Sequence, residues 1–483
     1  MTSIRVAAAP LVLLLLSSCV LGPDHKAPQI SLPAKFAEGG NTASNGDIAK
    51  NAWWTAFNDT RLNGYANNGL QQNLDVLQAL ERINQAQANV VTAGAGALPS
   101  LDLSSSADRS GSKDIGGNAG SSSSSSPRTS VSGGLTASWF LDLFGLYRRS
   151  KEAALANLDA AYASVDTARL TLLSDVTDAY ISARYYQELI RISQDNLKSR
   201  RETLNLTKLQ LEAGAASRLD VVQAEGLVNS TLAGIPGLEA SFRTQAHRVA
   251  TLLALPAGTL VTELQRGGHQ PVARFNPQAG VPADLVRNRP DIRASERALA
   301  AAVANIGVAE AQLYPSITLG GSITPSYTKS SRAEAGLLGW SFGPQLSLPI
   351  FDGGSLRANL SSSESSAREA YLAWKQTVLG AVEEVENALA ALSRDGRTVA
   401  AYRQTVKSYQ EALELSTASY RDGASSLLDV LDAQRQVSTA QESLAAAVQQ
   451  MAEDYVALNV AMGGGYAVGD QTKPTRMAAI SKK

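Results

Sequence analysis

Gly214-Ala215-Ala216-Ser217-Arg218-Leu219-Asp220-Val221-Val222-Gln223-Ala224 returns 209 residues further on as Gly423-Ala424-Ser425-Ser426-Leu427-Leu428-Asp429-Val430-Leu431-Asp432-Ala433. At a nearly equal offset, Leu98-Pro99-Ser100-Leu101-Asp102-Leu103 returns as Tyr314-Pro315-Ser316-Ile317-Thr318-Leu319, and Leu141-Asp142-Leu143-Phe144 as Leu348-Pro349-Ile350-Phe351. The chain is a tandem duplication of one elongated unit. Each copy reads as helix, strand pair, long helix, tight turn and long helix. Strands that interrupt helices at the same place twice need a physical reason, and a membrane crossing supplies one.

The helices carry a seam. Tyr371, Trp374, Val378, Ala381, Val385, Ala388 and Leu392 alternate steps of three and four, the spacing that lines one apolar stripe along a helix. Leu444, Val448, Met451, Tyr455, Leu458 and Met462 answer it, and Leu155, Leu158, Tyr162, Val165, Leu172 and Val176 repeat it in the first copy. These are expected to be antiparallel coiled-coil partners. No proline falls between Arg148 and Gly214 or between Arg357 and Gly423, so each helix reaches about 100 Å at 1.5 Å per residue. A helix pair that long with a thin seam needs lateral neighbours. Pro236-Gly237 falls inside the helix after the first tight turn, where it should bend or break the rod.

The interrupting segments alternate with period two. Val131, Gly133, Leu135, Ala137, Trp139 and Leu141 interleave with Ser132, Gly134, Thr136, Ser138 and Asp142, and Phe140 alone breaks the polar side. Trp340, Phe342, Pro344, Leu346, Leu348 and Ile350 interleave with Ser341, Gly343, Gln345 and Ser347; Ile317, Leu319, Gly321 and Ile323 do the same. Alternation alone fits a soluble antiparallel sheet as well as it fits outer-membrane strands. Four strands cannot close a barrel, and open edges are not tolerated in lipid, so a membrane reading requires a barrel shared between chains. The serine-rich loop 110–127 and the loop 329–336 join the strand pairs as spacers.

Bulk properties agree. A net charge of −1, with Lys and Arg scattered among acids, argues against a nucleic-acid surface. Arg5 precedes an apolar run from Val6 to Leu16 that is too short to span a bilayer as a helix and reads as an export signal. The run ends at Leu16-Ser17-Ser18-Cys19, which resembles a bacterial lipobox with Cys19 as the lipidated first residue of the mature chain. Val20, in place of Asp, resembles lipoproteins forwarded to the outer membrane. Cys19 is the only cysteine, so no disulfide forms within the chain.

Four stretches carry a family resemblance: Arg289-Pro290-Asp291-Ile292-Arg293-Ala294-Ser295-Glu296, Trp139-Phe140-Leu141-Asp142-Leu143-Phe144-Gly145, Ile235-Pro236-Gly237-Leu238-Glu239 and Leu428-Asp429-Val430-Leu431-Asp432-Ala433-Gln434-Arg435. Together they resemble the outer membrane factor family of TolC-like and OprM-like efflux ducts, and within it the lipidated NodT-type branch. The resemblance implies a mainly α chain with a membrane β-barrel. Duplicated long antiparallel coiled-coil helices would form an α-barrel, and four strands per chain would contribute to a trimeric twelve-stranded barrel. It implies a homotrimer in the bacterial outer membrane, extending into the periplasm, working with a periplasmic adaptor (membrane fusion protein) and an inner-membrane pump of the resistance-nodulation-division type. No cofactor is implied. The expected layout is a signal peptide at 1–18, a lipid-anchored segment at 19–58, a first repeat at 59–254, an equatorial linker at 255–283, a second repeat at 284–463 and a flexible tail at 464–483. Helices are expected over 59–97, 148–213, 217–254, 284–313, 355–422 and 426–463, and strands over 99–109, 129–143, 315–328 and 338–350.

Each tight turn pairs a glycine, Gly214 or Gly423, with a capping box, Ser217 with Asp220 or Ser426 with Asp429. Capping accounts for Asp220 and for much of Asp429. Asp432 lies one turn further on, shares a face with Asp429, and has Gln223 as its counterpart in the first copy. In a trimer, Asp429 and Asp432 would stack two carboxylate rings at the periplasmic end, where the family places its gate. Three carboxylates about 6 Å apart repel by under about 1 kcal/mol per pair in water and several-fold more in a confined mouth. The other reading of Asp432 is a solvated acid near a helix N-terminus. The tips Gly214, Ala215, Ala216 and Ser217, and Gly423, Ala424, Ser425 and Ser426, are small enough to receive an adaptor's helical hairpin.

No catalytic constellation is present. His25, His247 and His269 are the only histidines, none in metal-ligand spacing, and no phosphate loop or nucleophile elbow occurs. A non-conducting periplasmic coiled-coil scaffold lipoprotein and a protein-export duct remain alternatives to a small-molecule duct.

Overall fold

The computed structural model describes residues 20–38, 48–112, 125–274, 282–330 and 333–468. In chain order these are α1 (Thr60–Gln72), α2 (Leu74–Ala95), β1 (Ser100–Ser112), β2 (Ser125–Leu141), α3 (Leu146–Glu212) and α4 (Arg218–Leu252). There follow α5 (Val261–Gln265), α6 (Pro282–Asn288), α7 (Pro290–Ala311), β3 (Ser316–Lys329), β4 (Glu334–Ser347), α8 (Ser355–Arg421) and α9 (Leu427–Ala461). The described residues divide into two compact units, one within 20–28, 83–161 and 295–374, the other within 29–82, 162–294 and 375–468.

The first unit is built on a four-stranded antiparallel sheet in the order β1-β2-β3-β4. Its register explains the period-two pattern. Leu103, Leu135, Ile323 and Trp340 form one row across all four strands, and Asp102, Thr136, Ser322 and Ser341 form the next. One face is therefore apolar and the other polar. Phe140, the break in the pattern, packs edge-on against Tyr147 at 5.1 Å. Below the sheet, Ala153 and Ala156 of α3 bury against Ala300, Ala301 and Ala304 of α7. This shifts the seam expected there. Leu155 is exposed, and Ala153 and Ala156 form the buried face in its place.

The second unit holds most of the long helices. Of the series that starts in the first unit, Trp374 is buried and Tyr371 exposed; in the second unit Val378, Ala381, Val385, Ala388 and Leu392 are buried as the spacing predicts. α3 and α8 each run 67 residues, about 100 Å at 1.5 Å per residue. Two expected helices are broken. The span 59–97 divides at Asn73, whose Oδ1 accepts from the Asp75 and Val76 amides (2.9 and 3.1 Å) and whose Nδ2 donates to the Leu252 carbonyl. The span 284–313 divides before Pro290, since a residue preceding proline is pushed out of the helical region.

The break expected at Pro236 does not occur; α4 continues through it. Pro236 and Leu232, whose carbonyl loses its partner, are both exposed, so water can satisfy the orphaned acceptor. The connection after α4 is tied down by the buried Arg184, whose Nη1 donates to the carbonyls of Leu264 and Gly267 at 3.0 Å each.

Candidate functional site

The two tight turns have the same construction. At the end of α3, the Ala215 amide donates to Gln210 O at 2.7 Å and Gly214 N to Leu211 O at 3.0 Å. At the end of α8, Ala424 N donates to Ser419 O at 2.8 Å and Gly423 N to Tyr420 O at 3.1 Å. This is the Schellman pattern, in which a left-handed residue closes the last turn. Gly214 and Gly423 have φ of +75° and +74°, with open space where a Cβ would stand, so backbone conformation alone requires glycine there. Both capping boxes form. The Asp429 carboxylate accepts from the Ser426 amide at 3.1 Å and from its hydroxyl at 2.9 Å.

Asp432 has partners that sequence reasoning did not assign to it. Arg435 pairs with one of its carboxylate oxygens and the Gln436 side chain donates to the other. Arg435 is largely exposed and Asp432 partly so. The Asp432 carboxylate thus has a cation one turn away on the same helix. The pair lies at i,i+3 and was legible in the sequence. Gly214, Ala215, Ser217, Gly423, Ala424 and Ser426 are exposed, and Ala216 and Ser425 are half-buried.

The ends of the two hairpins pack side by side. Leu204, Val221, Ala224 and Val228 of the first meet Tyr420, Leu427 and Val430 of the second in one buried cluster. Polar ties run alongside it. The Tyr420 hydroxyl donates to Thr207 Oγ1 at 3.3 Å, Gln210 Nε2 to the Tyr420 carbonyl at 3.3 Å, and Gln434 Nε2 to Thr203 Oγ1 at 2.8 Å. These contacts join residues more than 200 positions apart, and no local pattern announces them.

The sheet is the other candidate surface. Leu103, Trp340, Phe342, Leu337 and Leu346 are large apolar side chains left mostly exposed on it. β1 and β4 each pair on one side only among the described residues. Aromatic side chains gather where the strands meet the helices: Phe144 stacks on Tyr314 at 4.9 Å, and Trp139 donates to the Ala97 carbonyl at 3.0 Å.

Sequence reasoning also missed Arg149. Buried on α3, it holds the N-terminal segment, with Nε donating to Leu21 O at 2.8 Å and Nη2 to Gly22 O and Asp24 Oδ1 at 2.9 Å each. The segment passes so near α7 that a Cβ on Gly22 would lie 2.4 Å from the Gly307 Cα. Cys19 lies outside the described residues. Among those residues no His, Cys, Asp and Glu group could hold a metal ion, and no helix is long and apolar enough to cross a membrane.

A mainly helical chain with one four-stranded antiparallel sheet is the fold of the TolC-like channels: the solved outer-membrane channel OprN superposes with a TM-score of 0.79 at 31% identity, covering 93% of this chain and all of that one. The outer membrane efflux protein family model matches residues 66–255 and 281–464, and the chain belongs to that family. It is 56% identical to nodulation protein T of Rhizobium leguminosarum bv. viciae across all of this chain and 98% of that protein. It is 34% identical to the pyoverdine export outer membrane protein OpmQ of Pseudomonas putida, across 87% of this chain and 89% of that one. This is a family of efflux channels, not of enzymes.

Proposed function

We propose that the chain is the outer-membrane component of a tripartite efflux system, a homotrimeric duct carrying small molecules from the periplasm to the exterior. The observation that carries this reading is the sheet, with its apolar face and two open edges. A lone four-stranded sheet would leave unpaired backbone groups in hydrocarbon. Four alternating strands bring β4 of one copy antiparallel to β1 of the next, so three copies close a twelve-stranded barrel. The long hairpins then line a tunnel in the periplasm, the lipidated Cys19 anchors the chain to the outer membrane, and the segment 255–283 forms the equator of the assembly.

The hairpin tips take the other two roles. Gly214, Ala215, Ala216 and Ser217, with Gly423, Ala424, Ser425 and Ser426, receive a periplasmic adaptor that couples the duct to an inner-membrane pump of the resistance-nodulation-division type. Asp429 and Asp432 ring the periplasmic gate, with Arg435 offsetting part of the Asp432 charge.

Unboiled protein should run as a heat-sensitive, barrel-containing oligomer and conduct in planar bilayers; a monomer that conducts nothing rejects the duct. Asp432→Ala should raise single-channel conductance and lower cation selectivity, because the ring keeps Arg435 and loses its carboxylates. Unchanged traces reject the gate assignment. Cross-linkers at Ala215 or Ala424 that never capture an adaptor reject the docking assignment.

A further inference from the structure

Where β2 and β4 end and β3 begins, the structure holds a cavity of about 430 Å³ that none of the roles above uses. Phe140, Phe144, Leu146, Tyr314, Leu348 and Leu356 are among the residues that line it. Its one charged lining residue, Asp142, accepts from the Arg148 amide at 3.0 Å and pairs with the Arg148 guanidinium at 3.7 Å. The remaining lining is apolar or uncharged, and an apolar cavity of this kind suits a hydrocarbon chain.

The start of the described chain lies against this cavity. Leu21 N donates to the Phe144 carbonyl at 3.2 Å. A Cβ on Gly145, between the lining residues Phe144 and Leu146, would come within 3.0 Å of Val20 Cγ1. Arg149 holds the carbonyls of Leu21 and Gly22, and His25 Nε2 meets Glu296 Oε1 at 2.5 Å. Val20 is therefore held beside residues that line the cavity, and Cys19 directly precedes it in the sequence.

We infer that an acyl chain carried by Cys19 seats in this cavity, so that the lipid anchor is partly a buried element of the protein. The inference rests on the proposed lipidation of Cys19. A single acyl chain in a bilayer holds a protein only marginally and reversibly. Seating one chain in the protein would shield its walls from water and fix the amino terminus to the base of the sheet, leaving the other chains to the membrane.

The test uses the full-length protein from cells fed a diazirine-bearing fatty acid. After purification and irradiation, protease digestion and mass spectrometry read which peptides are joined. The expected product links the N-terminal peptide carrying Cys19 to peptides containing Phe144, Tyr314 or Leu348. Leu348→Trp, which adds bulk to a half-exposed wall, should lower the yield of that link several-fold. A lipidated chain whose links fall only on residues outside the cavity lining, or whose cavity peptides carry phospholipid masses in place of the N-terminal peptide, overturns the seat and leaves lipidation standing. An undiminished yield in Leu348→Trp overturns it too. A mature chain of unmodified mass overturns lipidation and the seat together.

Discussion

Replacing Arg149 by Leu should release the N-terminal segment while leaving the rest of the fold in place. The side chain is buried, and two of its hydrogen bonds, at 2.8 and 2.9 Å, go to backbone carbonyls of the segment. Hydrogen bonds to a charged donor contribute about 1.5–3 kcal/mol each. Asp24 is 83% exposed and adds little. The freed carbonyls gain water once the segment opens, so the net loss is nearer one such bond than two, about 2–3 kcal/mol. That raises the opened population about 30- to 150-fold. The readout is hydrogen exchange at residues 20–26, whose Leu21 amide is protected by the Phe144 carbonyl. Exchange within twofold of wild type, with the melting temperature unchanged, would refute the reasoning.

Two further outcomes follow from the same kind of contact. Ser217→Ala and Ser426→Ala each remove one capping box and should cost about 1 kcal/mol, seen as faster exchange in the first turn of α4 or α9; equal exchange in variant and wild type counts against the caps. Asp178 is pushed up to about 7, chiefly by burial, with Glu453 and Asp175 adding to the rise and a Ser174 hydrogen bond opposing it. The folded chain keeps a proton that the unfolded chain gives up, so wild-type stability should fall as pH rises from about 4 to about 7. Asp178→Asn should flatten that slope and be the more stable protein at pH 8. Parallel calorimetric Tm profiles for the two proteins between pH 5 and 8 would show the idea to be wrong.

Much of this architecture is legible in sequence because it is periodic or local. Period two gives the faces of the sheet, alternating threes and fours give the seam from Trp374 to Leu392, and glycine with Ser-x-x-Asp gives both turns. What escapes is set by distant partners. Asn73 breaks a helix because its side chain caps the next one and reaches Leu252. Leu155 is left out of the buried face because Ala153 and Ala156 are the residues that meet the alanines of α7. Pro236 keeps its helix because the carbonyl it orphans faces solvent. At the tips, charge and spacing single out Asp429 and Asp432 as candidates, but the ties from Gln434, Gln210 and Tyr420 depend on which hairpin lies alongside.

Those ties have a consequence for ionic-strength experiments. Tyr420, Thr207, Gln434 and Thr203 are all uncharged, so dissolved ions do not weaken their mutual attraction. Attraction or repulsion between exposed charges such as Asp432 and others more than a Debye length away, about 8–10 Å near physiological salt, is screened. Hydrogen exchange of the helix ends at Thr207 and Tyr420 should therefore be the same at low and high salt so far as this neutral clasp holds them.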